Sequence, residues 1–299
     1  IISTHSPILG SKINLKNLIL IKNGCGYDLA EGETALNKGD YLFLQRFLDA
    51  TKSNLFFEKG IIMVEGDAEN ILIPTIAEIL GYPLEKNGIS IVNVGSTAFL
   101  RYSRILVRSD NSTIGIPVSI VTDCDVKPFD VDPETREKAF KEKVEESEIA
   151  ICAKTTKYQI GSVHAFVSPR WTLEYCIAMS CLGKEFHRAI HFGKKILNAK
   201  DYISLTNAKI QEADHDAAAE SELWKDLSEA ERAYKIYSLM LDAEGKSGLK
   251  AIVAQCLSSV IRWNTSVIPD GASQEKMFDL DLYRFKADVS KRDAMKRAI

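Results

Sequence analysis

The apolar residues fall into three textures along the chain. INLKNLILI at residues 13–21 is a β-rich run that predicts a strand, and Gly24-Cys25-Gly26 turns it toward a hairpin partner at Tyr27-Asp28-Leu29. Asn37 or Asp40 can cap a helix through LFLQRFLDA, with Leu44, Phe47 and Leu48 as its apolar positions. After Gly60, short apolar runs at 61–64, 89–94, 117–122 and 163–167 predict strands, separated by helical patterns at 68–80 and 97–108. Strands alternating with helices imply an α/β fold with a mostly parallel, covered sheet. From Trp171 the pattern is helical, over 173–181, 184–197, 229–241 and 248–261. Residues 130–150 carry mixed charge and are expected to form a solvated helix. No internal repeat is present.

At 299 residues the chain is long for one domain and suggests two. Lys and Arg number 38 against 41 Asp and Glu, a formal charge of −3, which excludes a binder that grips nucleic acid by bulk charge. No apolar run reaches the roughly 20 residues of a membrane-spanning helix, so no membrane partner is expected. Six cysteines form no C-x-x-C pair or zinc cluster and read as the reduced thiols of a cytoplasmic protein. Ile1-Ile2-Ser3-Thr4-His5-Ser6-Pro7 reads as the end of a buried strand entering a loop, without a signal-peptide layout. The chain is expected to start within a domain of a longer protein.

The chemistry-bearing residues lie in four short elements. Glu65-Gly66-Asp67-Ala68-Glu69 follows a strand, and Glu69 stands one helical turn beyond Glu65, so both carboxylates can face one point. Asp123-Cys124-Asp125 leaves a third strand with its acids at alternate positions. Trp171-Thr172-Leu173-Glu174 adds a hydroxyl and a carboxylate at a helix start, and Lys246 and Lys250 stand one turn apart on a late helix. Carboxylates gathered at one sheet edge repel unless protons or cations neutralise them. Oxygen donors without a Cys/His cluster favour Mg²⁺ or Mn²⁺, and two such ions about 4 Å apart can hold a phosphodiester for attack by water.

V-E-G-D-A-E, D-C-D after a strand and the α/β alternation resemble a TOPRIM domain, the metal-binding module of topoisomerases, primases and certain nucleases. More narrowly, the chain resembles the overcoming-lysogenisation-defect (OLD) family, in which an ABC-type ATPase domain precedes TOPRIM. Ser3-Thr4-His5-Ser6-Pro7 is similar to the end of that ATPase, and Met63 to Glu69 with Ile73-Pro74 to the first TOPRIM motif. Asn93-Val94-Gly95 with Phe99 is similar to the second-strand signature, although Gly95-Ser96-Thr97 lacks the second glycine often found there. Trp171 to Glu174, and Lys250 with Ala254-Gln255, resemble the late elements.

The resemblance implies a Rossmann-like TOPRIM core with flanking helices, a helical insertion and a short ATPase remnant. The implied boundaries are 1–58 for the ATPase tail, 59–182 for the TOPRIM core, 183–245 for the insertion, 246–262 for completion of TOPRIM and 263–299 for an extension. It implies Glu65 and Glu69 on one metal, Thr172 and Glu174 on a second, and Asp123 and Asp125 at or between them. Lys250 is then the catalytic lysine, with Lys246 as the alternative, and Asp67 a supporting or surface acid. His5 would be the ATP-switch histidine, acting only in the full-length parent, where ATP is a cofactor and the ATPase domain forms a homodimer. The implied activity is metal-dependent endonuclease cleavage of DNA, regulated by ATP and serving phage defence or DNA repair. A non-catalytic, nucleic-acid-binding or regulatory TOPRIM module is the alternative. A topoisomerase-type transesterification would need a nucleophilic tyrosine, and no tyrosine here sits in a recognisable context.

Arg101, Arg104 and Arg108 fall at i, i+3 and i+7 and predict a phosphate-contacting stripe on one helical face. Glu244-Gly245-Lys246-Ser247 is no P-loop, since position 240 is Met and a helix precedes it. His187 and His191 stand at metal-ligand spacing with Glu185 nearby, but lack an evident third ligand and read as a surface helix.

Overall fold

The computed structural model describes residues 1–95, 97–110, 112–198, 207–241 and 249–264. They divide into two compact units: one of residues 1–66, 82–125 and 145–169, the other of residues 67–81, 126–144 and those from 170 on.

The first unit opens with α1 (Pro7–Lys12), whose Ser6 cap accepts a hydrogen bond from Leu9 N. Residues 1–6 therefore lead into a helix and form no strand, and Ile1 and Ile2 are exposed. The expected long strand at 13–21 is shorter. Asn14 caps a 3₁₀ turn at Leu15–Asn17, and only β1 (Ile19–Lys22) pairs with β2 (Cys25–Asp28) in an antiparallel hairpin. The α2 helix (Lys38–Phe47) follows Asn37, whose backbone N–H donates to the Asp40 carboxylate at 2.9 Å.

Four parallel strands make the sheet: β3 (Gly60–Val64), β4 (Ile89–Asn93), β5 (Val118–Thr122) and β8 (Val163–Val167), in the order β4-β3-β5-β8. Between β4 and β5, α4 (Phe99–Ser103) continues as a 3₁₀ turn at Arg104–Leu106. The helix expected at 97–108 stops early because Val107 and Arg108 are drawn into bridges with Thr113 and Thr34. The α5 helix (Val144–Tyr158) connects β5 to β8. Ile61, Val118, Ile120 and Val163 of the sheet share one core with Leu44, Leu55, Phe99 and Tyr102.

In the second unit, α3 (Asp67–Ile79) is followed by Leu80 and by Gly81 at φ +85°, a left-handed position that ends a helix cheaply only with glycine. β6 (Phe129–Val131) and β7 (Lys138–Phe140) pair as a hairpin where a helix was expected. The reason is local: the Asp132 carboxylate accepts from Glu134 N and Thr135 N, and Arg136 adopts φ +63°. The remaining helices are α6 (Leu173–Met179), α7 (Gly183–Asn198), α8 (Asn207–Leu223), α9 (Glu229–Leu241) and α10 (Leu249–Asn264). The α10 helix packs on α3 and α7, α6 on α9, and α7 on α8, around Leu72, Phe186, Ile190, Tyr237, Leu257 and Val260.

Candidate metal centre

From β3 the chain moves outward to β4, then returns to lay β5 on the opposite side of β3. The carboxyl ends of β3 and β5 at such a reversal are the place where open α/β sheets bind ligands. Glu65 is the first residue after β3 and Asp123 the first after β5. The strand ends are joined by a hydrogen bond from Thr122 Oγ1 to Glu65 Oε1, and Thr122 is buried. Asp123 Oδ1 accepts from Ser168 Oγ at 3.3 Å, just past β8. Cys124 points inward, 1% exposed, with its Sγ 3.7 Å from the Ser147 carbonyl oxygen.

Asp125 completes the turn at φ +68°, a left-handed conformation that costs a non-glycine residue free energy. Its Oδ2 receives Lys154 Nζ at 2.5 Å, and the same ammonium donates to the Asp123 carbonyl oxygen at 2.7 Å. Lys154 on α5 thus fixes both ends of the D-C-D turn. Neither Lys154 nor Thr122 nor Ser168 stands out in the sequence. Thr122 is one more β-branched strand residue, and Lys154 sits among the mixed charges of α5.

Beside β4, Gly95 takes φ +67° and its N–H donates to Asn93 Oδ1 at 2.8 Å. That turn explains the residue types of Asn93-Val94-Gly95, because a left-handed residue closing an Asx turn favours glycine. The turn at Gly66 needs no such backbone, since its φ is not positive.

The three first-unit carboxylates, Glu65, Asp123 and Asp125, offer only oxygen, as Mg²⁺ or Mn²⁺ require. In donor chemistry they therefore suit a hard divalent ion.

The second unit holds a cluster of its own. Thr172 is the N-cap of α6, and its hydroxyl accepts from Tyr175 N at 3.2 Å. Glu174, in the first turn, is buried, and Lys250 Nζ on α10 lies 3.5 Å from its Oε1. Tyr237 on α9 faces Glu174, Lys250 and Thr172, and burial beside the Glu174 carboxylate pushes its hydroxyl up to about 12. Sequence reasoning missed Tyr237, which is 1% exposed among the apolar residues of its helix. Glu69 and Asp67 lie in the first turn of α3, Glu69 buried and Asp67 half-buried. Lys246 lies outside the described residues.

The three arginines do not form one helical stripe, because Arg104 opens the 3₁₀ turn and Arg108 lies beyond it. Arg101 Nε is 3.5 Å and Arg104 Nη1 3.9 Å from the Asp40 carboxylate, and the Arg101 guanidinium sits 4.2 Å over the Phe43 ring. Arg108 pairs with Glu33 at 2.7 Å and donates to the Asp28 carbonyl oxygen. His5 is exposed, its ring 6.4 Å from that of Phe57. His187 and His191 are not on a surface helix face: both are buried, and their partner is Glu220 rather than Glu185.

A Rossmann-like parallel sheet with acids after its first and third strands is consistent in architecture with the TOPRIM class. Residues 56–125 match the family model "Overcoming lysogenization defect protein-like, TOPRIM domain". The chain therefore carries an OLD-like TOPRIM domain, of a nucleic-acid-processing family whose TOPRIM domains generally bind divalent metals. Among curated protein sequences none is significantly similar. The C-terminal region of the Xanthomonas campestris pv. campestris OLD protein is similar at 20% identity over 81% of this chain and 99% of that one, with a TM-score of 0.38. The C-terminal region of the Burkholderia pseudomallei OLD protein is similar at 21% identity over 78% and 99%, with a TM-score of 0.39. Among the described residues no helix is long and apolar enough to cross a membrane.

Proposed function

We propose that this protein is a divalent-metal-dependent DNA endonuclease. The observation that carries the reading is the placement of Glu65, Asp123 and Asp125 at the carboxyl ends of β3 and β5, on either side of the reversal in strand order. A divalent cation held there supplies positive charge to the phosphodiester oxygens and makes water a stronger nucleophile. The chain's own residues prepare the place. Thr122 orients the Glu65 carboxylate by donating to it, Ser168 does the same for Asp123, and Lys154 pins the Asp125 turn. By the OLD resemblance, Glu69 serves the first ion, and Thr172 and Glu174 serve a second. Lys250, the residue favoured over Lys246, offsets charge on the leaving oxygen.

The same resemblance supports a domain order of ATPase tail (1–58), TOPRIM (59–182, completed at 246–262) and helical insertion (183–245), followed by a C-terminal extension (263–299). It also supports ATP-regulated action as a homodimer in the cytoplasm against phage DNA, with His5 reading the nucleotide only in a parent carrying the whole ATPase. Arg101 remains the best placed of the three arginines for a DNA phosphate, with 46% of its side chain exposed.

Plasmid cleavage with Mg²⁺, Mn²⁺ or EDTA, beside Asp123→Ala, tests the proposal. Metal-dependent nicking by the wild type that is lost in the variant is the expected result. Metal-dependent DNA binding without any cleavage, by this chain and by a parent protein with its ATPase, would replace the nuclease by a regulatory module.

A further inference from the structure

The α7 and α8 helices meet along a polar seam. His187, His191 and Lys195 recur every fourth residue on α7, so they share one face, and Glu212, Asp216 and Glu220 do the same on α8. At one end of the seam a full cation answers the acids: Lys195 Nζ lies 2.7 Å from Glu212 and 3.1 Å from Asp216. At the other end two imidazoles converge on one carboxylate oxygen. His187 Nε2 is 2.8 Å and His191 Nε2 2.9 Å from the same Glu220 Oε2.

We propose that His187, His191 and Glu220 form a binding site for a zinc-type divalent cation that staples α7 to α8, separate in chemistry from the all-oxygen TOPRIM acids. Two imidazoles and a carboxylate are borderline ligands suited to Zn²⁺, Co²⁺ or Ni²⁺, whereas Mg²⁺ prefers oxygen. The ligand atoms already lie together, all within 4.8 Å of one another. Two atoms bonded tetrahedrally to zinc at 2.0–2.1 Å stand about 3.3 Å apart, so each imidazole–carboxylate contact must open by about half an ångström to take the ion. Glu220 can make that movement, since 30% of its side chain is exposed, while the imidazoles are held in the interior at 3% and 8%.

The surroundings suit the ion as well. His187 Nδ1 lies 3.3 Å from Ser221 Oγ, the kind of outer contact that orients a ligating imidazole. The Trp224 ring stacks on His187 at 5.3 Å and shields one side. Three protein ligands would leave a fourth position open to water.

The test is calorimetric titration of the metal-stripped full chain with Zn²⁺, and optical titration with Co²⁺, for the wild type, His191→Gln, Glu220→Gln and Asp123→Asn. The expected result is one tight zinc equivalent in the wild type and in Asp123→Asn, with the intense visible bands of tetrahedral cobalt. Affinity should fall by about 100-fold or more in His191→Gln and Glu220→Gln. Equal zinc affinity in all four proteins, or loss of zinc only in Asp123→Asn, would overturn the site. A wild-type Tm unmoved by Zn²⁺ would overturn it too, even if both ligand variants failed to fold.

Discussion

Replacing Asp125 by glycine separates its structural from its chemical role. The φ of +68° costs a non-glycine residue about 1 kcal/mol, at the low end for Asp, and glycine abolishes that cost. Glycine also loosens the unfolded chain, which takes back about 0.4–1 kcal/mol. The lost pair with Lys154 is worth at most about 0.5 kcal/mol, because 63% of the Asp125 side chain is exposed to screening solvent. The contributions nearly cancel, so Asp125→Gly should unfold in urea within about 1 kcal/mol of the wild type. Asp125→Asn keeps a residue type that tolerates the left-handed region and loses the charge. Both variants should lower metal-dependent plasmid nicking by about 100-fold or more, the effect expected on removing a metal-binding carboxylate. Denaturation followed by circular dichroism supplies the stability, and gel densitometry of nicked plasmid the rate. A stable Asp125→Gly protein that nicks as fast as the wild type would refute the assignment of Asp125 to the metal.

Other perturbations probe the rest of the molecule. Gly193→Ala on α7 would bring a Cβ to 2.9 Å from Val253 Cγ2, a stiff β-branched contact; overpacking outweighs the helical gain and should cost about 1 kcal/mol net, read from urea midpoints. Tyr237→Phe should retain nicking, and denatured reactions should contain no covalent protein–DNA adduct, because burial beside the Glu174 carboxylate pushes the phenol up to about 12 and holds it in the protonated, weakly nucleophilic form. Burial acts upward on Asp49, yet hydrogen bonds from Lys52 and Thr51 outweigh it and hold the carboxyl below its ordinary 3.8. Its contribution is therefore complete above that value and lost as pH falls through the lower folded one. Asp49→Asn should cost about 0.5 kcal/mol at pH 7, a figure discounted for its half-exposed side chain, and the difference should close in strong acid. Lys154→Met should lower the apparent metal affinity by about tenfold by freeing the D-C-D turn, which calorimetric Mn²⁺ titration would register; unchanged affinity would remove Lys154 from the positioning role.

The sequence by itself determined the features that depend on a few adjacent residues. Short apolar runs bounded by turns located β3, β5 and β8 to within a residue, because strand patterning is local. The acids at 65, 123 and 125 could be assigned to strand ends for the same reason. Helix α9 was legible from its apolar spacing.

Tertiary structure alone decided which ends face each other. Only the order β4-β3-β5-β8 brings Glu65 beside Thr122, 57 residues away, and no periodicity encodes strand order. Lys154 reaches the D-C-D turn from a helix whose charges look solvated. The hairpin of β6 and β7 replaced a helix because one Asp132 carboxylate captures two backbone N–H groups, a side-chain bond that outweighs weak helical propensity. The histidines of α7 read as surface residues because the helix that buries them was invisible: α8 packs through Ile210, Ala213 and Ala217, a small apolar stripe whose signal is faint in sequence. Glu220 meets both imidazoles only after that packing forms, since contacts between helices depend on distance in space and carry no mark in the chain.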